Sequence, residues 1–176
     1  MTTIITKAPN KHNDKSSAKL FLAGSIDMGS AEDWQEHLSD FISKRSMDVE
    51  ILNPRRADWD SSWTQDISHK GFSEQVNWEL DSINDSDVVA FYFDPNGKAP
   101  ITLMELGACL TAGKNCIVCC PEGYWRRGNV QIICDRHSVS VLNSLEDLCN
   151  HVCASLSGMI SGKYFRGIID ESKRQI

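Results

Sequence analysis

The run Asp87-Val88-Val89-Ala90-Phe91-Tyr92-Phe93 is the most strand-like stretch of the chain, and it narrows the choice of fold most. After Asp87 it is continuously apolar or aromatic, without the alternation of a strand that has one face in water. A strand of that kind is covered on both faces, as in parallel sheets whose crossover helices lie above and below. Four further runs read the same way: Ala18 to Ala23, Val49 to Leu52, Cys116 to Cys120 and the short Val139 to Leu142.

Amphipathic helices separate these runs. Ser30-Ala31-Glu32-Asp33 has the form of a capping box ahead of a helix with Trp34, Leu38, Phe41 and Ile42 on its buried stripe. A second helix is expected from Ser73 to Ser86, with Val76, Leu80 and Ile83 on one side and Glu79 close to them. Pro100 opens a third, from Ile101 to Ala112, with Gly113 as its C′ residue. Others follow near Val130 to Arg136 and from Ser144. The alternation predicts an α/β, flavodoxin/Rossmann-like three-layer sandwich around a five-stranded, mainly parallel sheet. Ligands of such sheets bind beyond the carboxyl ends of the strands, where the strand order switches. The segments Gly24-Ser25, Asn53 to Trp63, Asp94 to Glu105 and Pro121 to Asn129 all follow strands and are expected at that edge.

Composition excludes several classes. A net charge of −6 argues against binding duplex nucleic acid through its phosphates. No tract approaches the roughly 18 apolar residues of a membrane span, and the first residues lack the apolar core of a secretory signal, so a cytoplasmic protein is expected. Seven cysteines are present, but no paired metal-ligand spacing accompanies them. Cys116 and Cys119 form a C-x-x-C within a strand, where side chains at that spacing diverge, so buried reduced thiols are expected. Residues 1–16 are polar and aperiodic and read as a flexible tail.

Two carboxylates stand out. Glu105 lies among Leu103, Met104 and Leu106 just inside the Pro100 helix, and Glu79 lies between Trp78 and Leu80, with Asp81 as its neighbour. Gly24-Ser25, ahead of a helix, is either an anion cradle or a tight turn that needs glycine. The long connection after Asn53 carries Arg55, Asp58, Trp59 and Trp63, residue types that meet phosphate or stack on a base, or that pack a surface.

Together, Phe21-Leu22-Ala23-Gly24-Ser25-Ile26, Asn53-Pro54-Arg55-Arg56, Trp78-Glu79-Leu80, Asp87, Met104-Glu105-Leu106-Gly107 and Pro121 to Asn129 resemble the nucleoside 2-deoxyribosyltransferase superfamily. The closest likeness is to its nucleoside 2-deoxyribosyltransferase-like branch, over about residues 18 to 143. The resemblance implies a catalytic domain over 17–157, followed by a C-terminal helical extension over 158–176. It implies cleavage of the N-glycosidic bond of a nucleoside or nucleoside 5′-monophosphate, by hydrolysis or transfer, without a cofactor or metal. Glu105 would be the nucleophile that forms a glycosyl-enzyme, and Glu79, or Asp81 in another register, the acid for the leaving base. Gly24, Ser25, Asn53, Arg55, Asp58, Trp59, Thr102 and Asn129 would contact substrate. Asn129 would reach the site of a neighbouring copy in a homodimer or larger homo-oligomer, or else cap a helix beginning at Val130. Phe21 stands where many relatives have tyrosine, and Ala99 and Pro100 where they place aspartate or serine, which leaves Thr102 as the nearest hydroxyl. A non-catalytic nucleotide-binding module and a flavodoxin-like redox protein are the competing classes.

Overall fold

The structure, a computed structural model, describes residues 2–13, 15–26, 33–56, 59–60 and 62–173, those from 164 onward by backbone alone. Its sheet contains β1 (Thr3–Lys7), β2 (Ala18–Gly24), β3 (Val49–Asn53), β4 (Val88–Tyr92), β5 (Cys116–Cys119) and β6 (Val141–Leu142). The strands run in the order β1-β3-β2-β4-β5-β6, and every pairing is parallel. Five helices connect or follow them: α1 (Trp34–Ser43), α2 (Lys70–Asp85), α3 (Pro100–Thr111), α4 (Arg127–Arg136) and α5 (Leu145–Lys173). Among the described residues, no helix is long and apolar enough to cross a membrane.

Alternation along the strands sorts the core into two layers. Leu20, Leu22, Val49, Ile51, Val88, Ala90 and Cys119 meet Trp34, Leu38 and Ile42 of α1 and Leu148, Val152 and Leu156 of α5. Phe21, Ala23, Leu52, Val89, Phe91, Val118 and Cys120 turn the other way, toward Ile83 of α2, Leu106 and Leu110 of α3, and Val130 of α4. The three-layer sandwich is therefore present, with six strands rather than five. Cys116 and Cys119 fall in opposite layers, and all seven cysteines are free and buried. Packing outweighs capping here. The N-cap of α3 is Ala99, which has no side-chain bond, and a missing cap costs about 1 kcal/mol. Burying Leu106 and Leu110 returns roughly 1.5–3 kcal/mol each.

The structure corrects the sequence reading in several places. The presumed tail forms β1, whose Thr-Ile-Ile-Thr stretch suits a pleated edge and pairs with β3 from Thr3↔Val49 to Lys7↔Asn53. Helix α1 starts at Trp34 with Asp33 as its cap, accepting from the Glu36 amide; Ser30 to Glu32 lie outside the described residues. Helix α2 starts earlier than expected, at Lys70, because the His69 ring accepts from the Phe72 amide. Its inward face also differs: Leu80 is 47% exposed while Gln75, Ser82 and Ile83 are buried. Helix α4 begins at Arg127, so Asn129 sits within its first turn and does not cap it. Helix α5 runs unbroken from Leu145 to Lys173, and Ser144 accepts from the Asp147 amide at its start.

The chain passes from β2 outward to β3 and then back across to β4, so the strand order switches between β2 and β4. Gly24 and Ser25 seal that point. The Ser25 amide donates to the Tyr92 carbonyl at 3.1 Å, the Asp94 amide donates to Ser25 Oγ at 3.1 Å, and Trp34 Nε1 donates to the Ser25 carbonyl at 3.1 Å. A Cβ on Gly24 would lie 2.5 Å from the Trp34 ring and 2.6 Å from the Tyr92 carbonyl oxygen. The backbone contact cannot yield as a flexible side chain would, so Gly24→Ala should destabilise the protein by about 1–3 kcal/mol in urea unfolding. An unchanged midpoint would show that the strand ends are not in such close contact.

Candidate active site

The β4–α3 connection carries Glu105 to the carboxyl edge of the sheet. Asp94 folds the turn by accepting from the Asn96 amide at 2.8 Å, and the Gly97 amide closes it on the Asp94 carbonyl at 3.0 Å. Ala99 then adopts a left-handed conformation, with φ 41° and ψ 53°, and Pro100 begins α3. The Lys98 carbonyl accepts from Tyr124 Oη at 2.7 Å and from Trp125 Nε1 at 3.1 Å, which ties the loop after β5 to the loop after β4. Thr102, Glu105, Leu106, Cys109 and Leu110 form the buried face of α3, which places Thr102 one turn before Glu105 on the same side.

Glu105 is 9% exposed, and burial together with the charge of Glu79 and the thiol of Cys109 pushes its carboxyl up to about 8. Burial also raises Glu79, partly offset by a hydrogen bond from Gln75. Two carboxyls that feel each other away from water do not both ionise readily, and the charge of one favours a proton on the other. Asp81 is exposed and lacks this environment.

The hydrogen bonding around Glu79 involves residues that sequence reasoning passed over. Gln75 Nε2 donates to Glu79 Oε1 at 2.8 Å and to the Pro54 carbonyl at 2.9 Å, while Arg56 Nη1 lies 3.5 Å from Gln75 Oε1. No local sequence pattern marks Gln75, because its partners are the Pro54 carbonyl, 21 residues away, and Glu79. Trp78, next to Glu79, donates from Nε1 to the Asn10 carbonyl at 2.8 Å and meets the His12 ring edge-on at 5.5 Å.

The other expected contacts are dispersed. Gly24 and Ser25 serve the strand ends first, although the Ser25 hydroxyl, which accepts from Asp94, keeps a hydrogen to donate. Asn53 accepts from the Arg55 amide at 2.9 Å and shapes the turn there. Arg55 pairs with Asp33 at 3.3 Å through Nε, while its Nη1 is buried without a hydrogen-bond partner among the described residues. Trp59 packs on Trp63 with ring centroids 5.1 Å apart, and Trp63 packs in turn on His69. This aromatic cluster connects to the carboxyls through Arg56, which lies over the Trp63 ring. Asp58 lies outside the described residues. Asn129 is exposed in a groove between α3 and α4 whose walls include Leu103, Leu106 and Ile133. Among the described residues, no cluster of His, Cys, Asp and Glu is arranged to hold a metal.

The family model described as nucleoside 2-deoxyribosyltransferase like matches residues 17–124, more than half of the chain. The match contains both carboxylates and Gln75 and ends before Asn129. Among solved structures, a conserved protein from Enterococcus faecalis V583 is similar at 15% identity with a TM-score of 0.50, covering 76% of this chain and 95% of that one. At that identity the likeness concerns the fold. No curated protein sequence matches the chain significantly.

The raised Glu105 carboxyl gives stability a pH dependence. Unfolded, this group titrates near 4.5, and folded at about 8, so between those values the native state holds a proton that the unfolded chain has released. Its contribution is fully present below the lower value and is lost as pH rises through the upper one. Glu105→Gln abolishes that loss. Thermal melts should show the variant several degrees more stable than wild type at about pH 9, with the gain shrinking toward about pH 5. Parallel pH profiles for the two proteins would mean that Glu105 is not desolvated as described.

Proposed function

The chain belongs to the nucleoside 2-deoxyribosyltransferase-like family, and from that premise we propose that it cleaves the N-glycosidic bond of a nucleoside or nucleoside 5′-monophosphate, with Glu105 as nucleophile. The observation that carries this reading is the pair of carboxyls at the carboxyl edge of the sheet, Glu105 buried on α3 and Glu79 half-buried on α2, close enough that the charge of Glu79 raises Glu105. N-glycosidic cleavage needs one carboxylate to meet the cationic sugar and one acid to protonate the base. Glu105 attacks the anomeric carbon, the C–N electron pair leaves with the base, and Glu79 supplies its proton. Water then attacks the same carbon and frees Glu105; a second base in place of water gives transfer. Glycosyl-group chemistry on nucleosides is what the family match supports at the coarser level.

Thr102 on the face of Glu105, the Ser25 hydroxyl, and the turn of Asn53 and Arg55 are assigned to the sugar and its 5′ substituent. The Nη1 of Arg55, without a partner among the described residues, supports an anionic or hydroxyl group there. Gly24 lets the backbone come close, and Trp59 and Asp58 are assigned to the base side. Binding without turnover is the alternative reading, favoured by Ala99, which buries a methyl group where relatives of the superfamily carry a polar one.

A second copy of the chain is proposed to cover the groove beside Asn129. Ile132 on α4 lines it and is exposed, Ile101 and Met104 are exposed large apolar side chains of α3, and Asn129 is exposed in the first turn of α4.

Incubated with a panel of nucleosides and 5′-monophosphates, the wild-type protein should release base from at least one, as read by mass spectrometry. Glu105→Ala should slow that release by roughly three orders of magnitude or more. Unchanged release in the variant would sink the nucleophile, and saturable binding without release would favour the binding module. Light scattering after gel filtration should give at least a dimer, and Met104→Glu should shift it toward monomer; a monomeric wild type would remove Asn129 from the site.

A further inference from the structure

Gln75 stands one turn before Glu79 on α2 and is 4% exposed. Both of its amide hydrogens are committed, to the Pro54 carbonyl at 2.9 Å and to Glu79 Oε1 at 2.8 Å. Only the NH2 end of an amide can donate to a carbonyl, so Pro54 determines which way the group faces. Glu79 therefore meets a donor through Oε1, while its other oxygen, Oε2, has no hydrogen-bond partner among the described residues.

We propose that Gln75 is a positioning residue for the glycosidic reaction: by holding Glu79 Oε1 it makes Oε2 the oxygen that takes the proton from Glu105 and passes it to the departing base. The proposal rests on the assignment of Glu105 as nucleophile and Glu79 as acid. A carboxylic acid keeps a carbonyl oxygen that accepts a hydrogen bond, so the Gln75–Oε1 contact survives protonation of Oε2, and the group does not rotate between the two states. The proton balance closes. Glu105 passes its proton to Glu79 and becomes the anion that attacks the anomeric carbon; the base leaves with the C–N pair and takes the proton from Oε2. Water then gives its proton to Oε2 as its oxygen displaces Glu105 from the sugar, and the shared proton is restored.

The same contact tunes acidity. A donor on the carboxylate favours its ionised form, which opposes the effect of burial on Glu79, while nothing comparable opposes it on Glu105. The groups bearing on the pair are Gln75 from the same helix as Glu79, Cys109 one turn beyond Glu105 on α3, and Arg56 from the loop after β3, acting through Gln75.

Gln75→Met preserves length and packing but donates nothing. In the free protein, carbon-13 titration of the glutamate carboxyls should show Glu79 moving up and Glu105 moving down in this variant, since a more protonated Glu79 repels less. With a substrate of the panel, kcat should fall about tenfold to a hundredfold with KM within about threefold, and the acid limb of its pH profile should move. Carboxyl titrations identical to wild type, or a change confined to KM, would overturn the proposal. The wild-type protein provides a measurement that does not depend on the variant folding: the Gln75 side-chain amide resonances should follow pH with the midpoint of Glu79, and pH-invariant resonances would equally overturn it. If wild type releases no base at all, the assignment of function fails, while the titrations still decide whether Gln75 governs the pair.

Discussion

Two parallel strands that part at their carboxyl ends leave a crevice, and the way its floor is closed governs what can be built above it. Here the floor is Gly24 and Ser25, bonded across to Tyr92 and Asp94 and overlaid by the Trp34 ring where a Cβ would otherwise lie. The contact fixes where β4 ends. From that end follow the Asp94 turn, the left-handed Ala99, the start of α3 and the depth at which Glu105 is buried. The Lys98 carbonyl, with its bonds from Tyr124 and Trp125, carries the same constraint to the next loop. The chemistry is held by regular elements, and the loops act as braces between them.

The two carboxyls show the cost of that placement. Burying an acid favours its neutral form, and burying a second one nearby favours it further. In the folded protein the pair opposes stability at alkaline pH, a tension expected where function demands a group that packing alone would exclude. Gln75 relieves only one side of it. The resulting asymmetry between two residues of the same type is what a nucleophile and an acid require.

Much of this was legible in the sequence, for identifiable reasons. The four inner strands are dominated by apolar residues, continuous in β4 and β5 and broken only by Lys19 in β2 and by Glu50 and the terminal Asn53 in β3, and a doubly covered sheet explains them. Glu105 was conspicuous as a charge among Leu103, Met104 and Leu106 behind a helix-opening proline. The face of α2 was misjudged because hydrophobic periodicity assumes that helices point apolar residues inward. This helix turns Gln75 toward the sheet edge, to serve Glu79 and Pro54, and leaves Leu80 outside. The importance of Gln75 depends on a carbonyl 21 residues away, a relation that no local pattern encodes. Strand β1 is hidden because it lies in a polar context, and its pairing comes from a partner more than forty residues along the chain.

That first strand has a further meaning. After β1 the chain doubles over α2: the Asn10 carbonyl holds the Trp78 indole, and the His12 ring stands against the same indole while its nitrogens meet Asp85 and Ser82. Trp78 is the residue before Glu79, and its ring also meets Phe21 of β2 at 6.5 Å. The leading segment thus packs against the turn of α2 that carries Glu79. Chains of this family that keep both carboxyls but differ over these first dozen residues would hold the same pair beside a differently packed Trp78, so the setting of Glu79 changes without a change on α2.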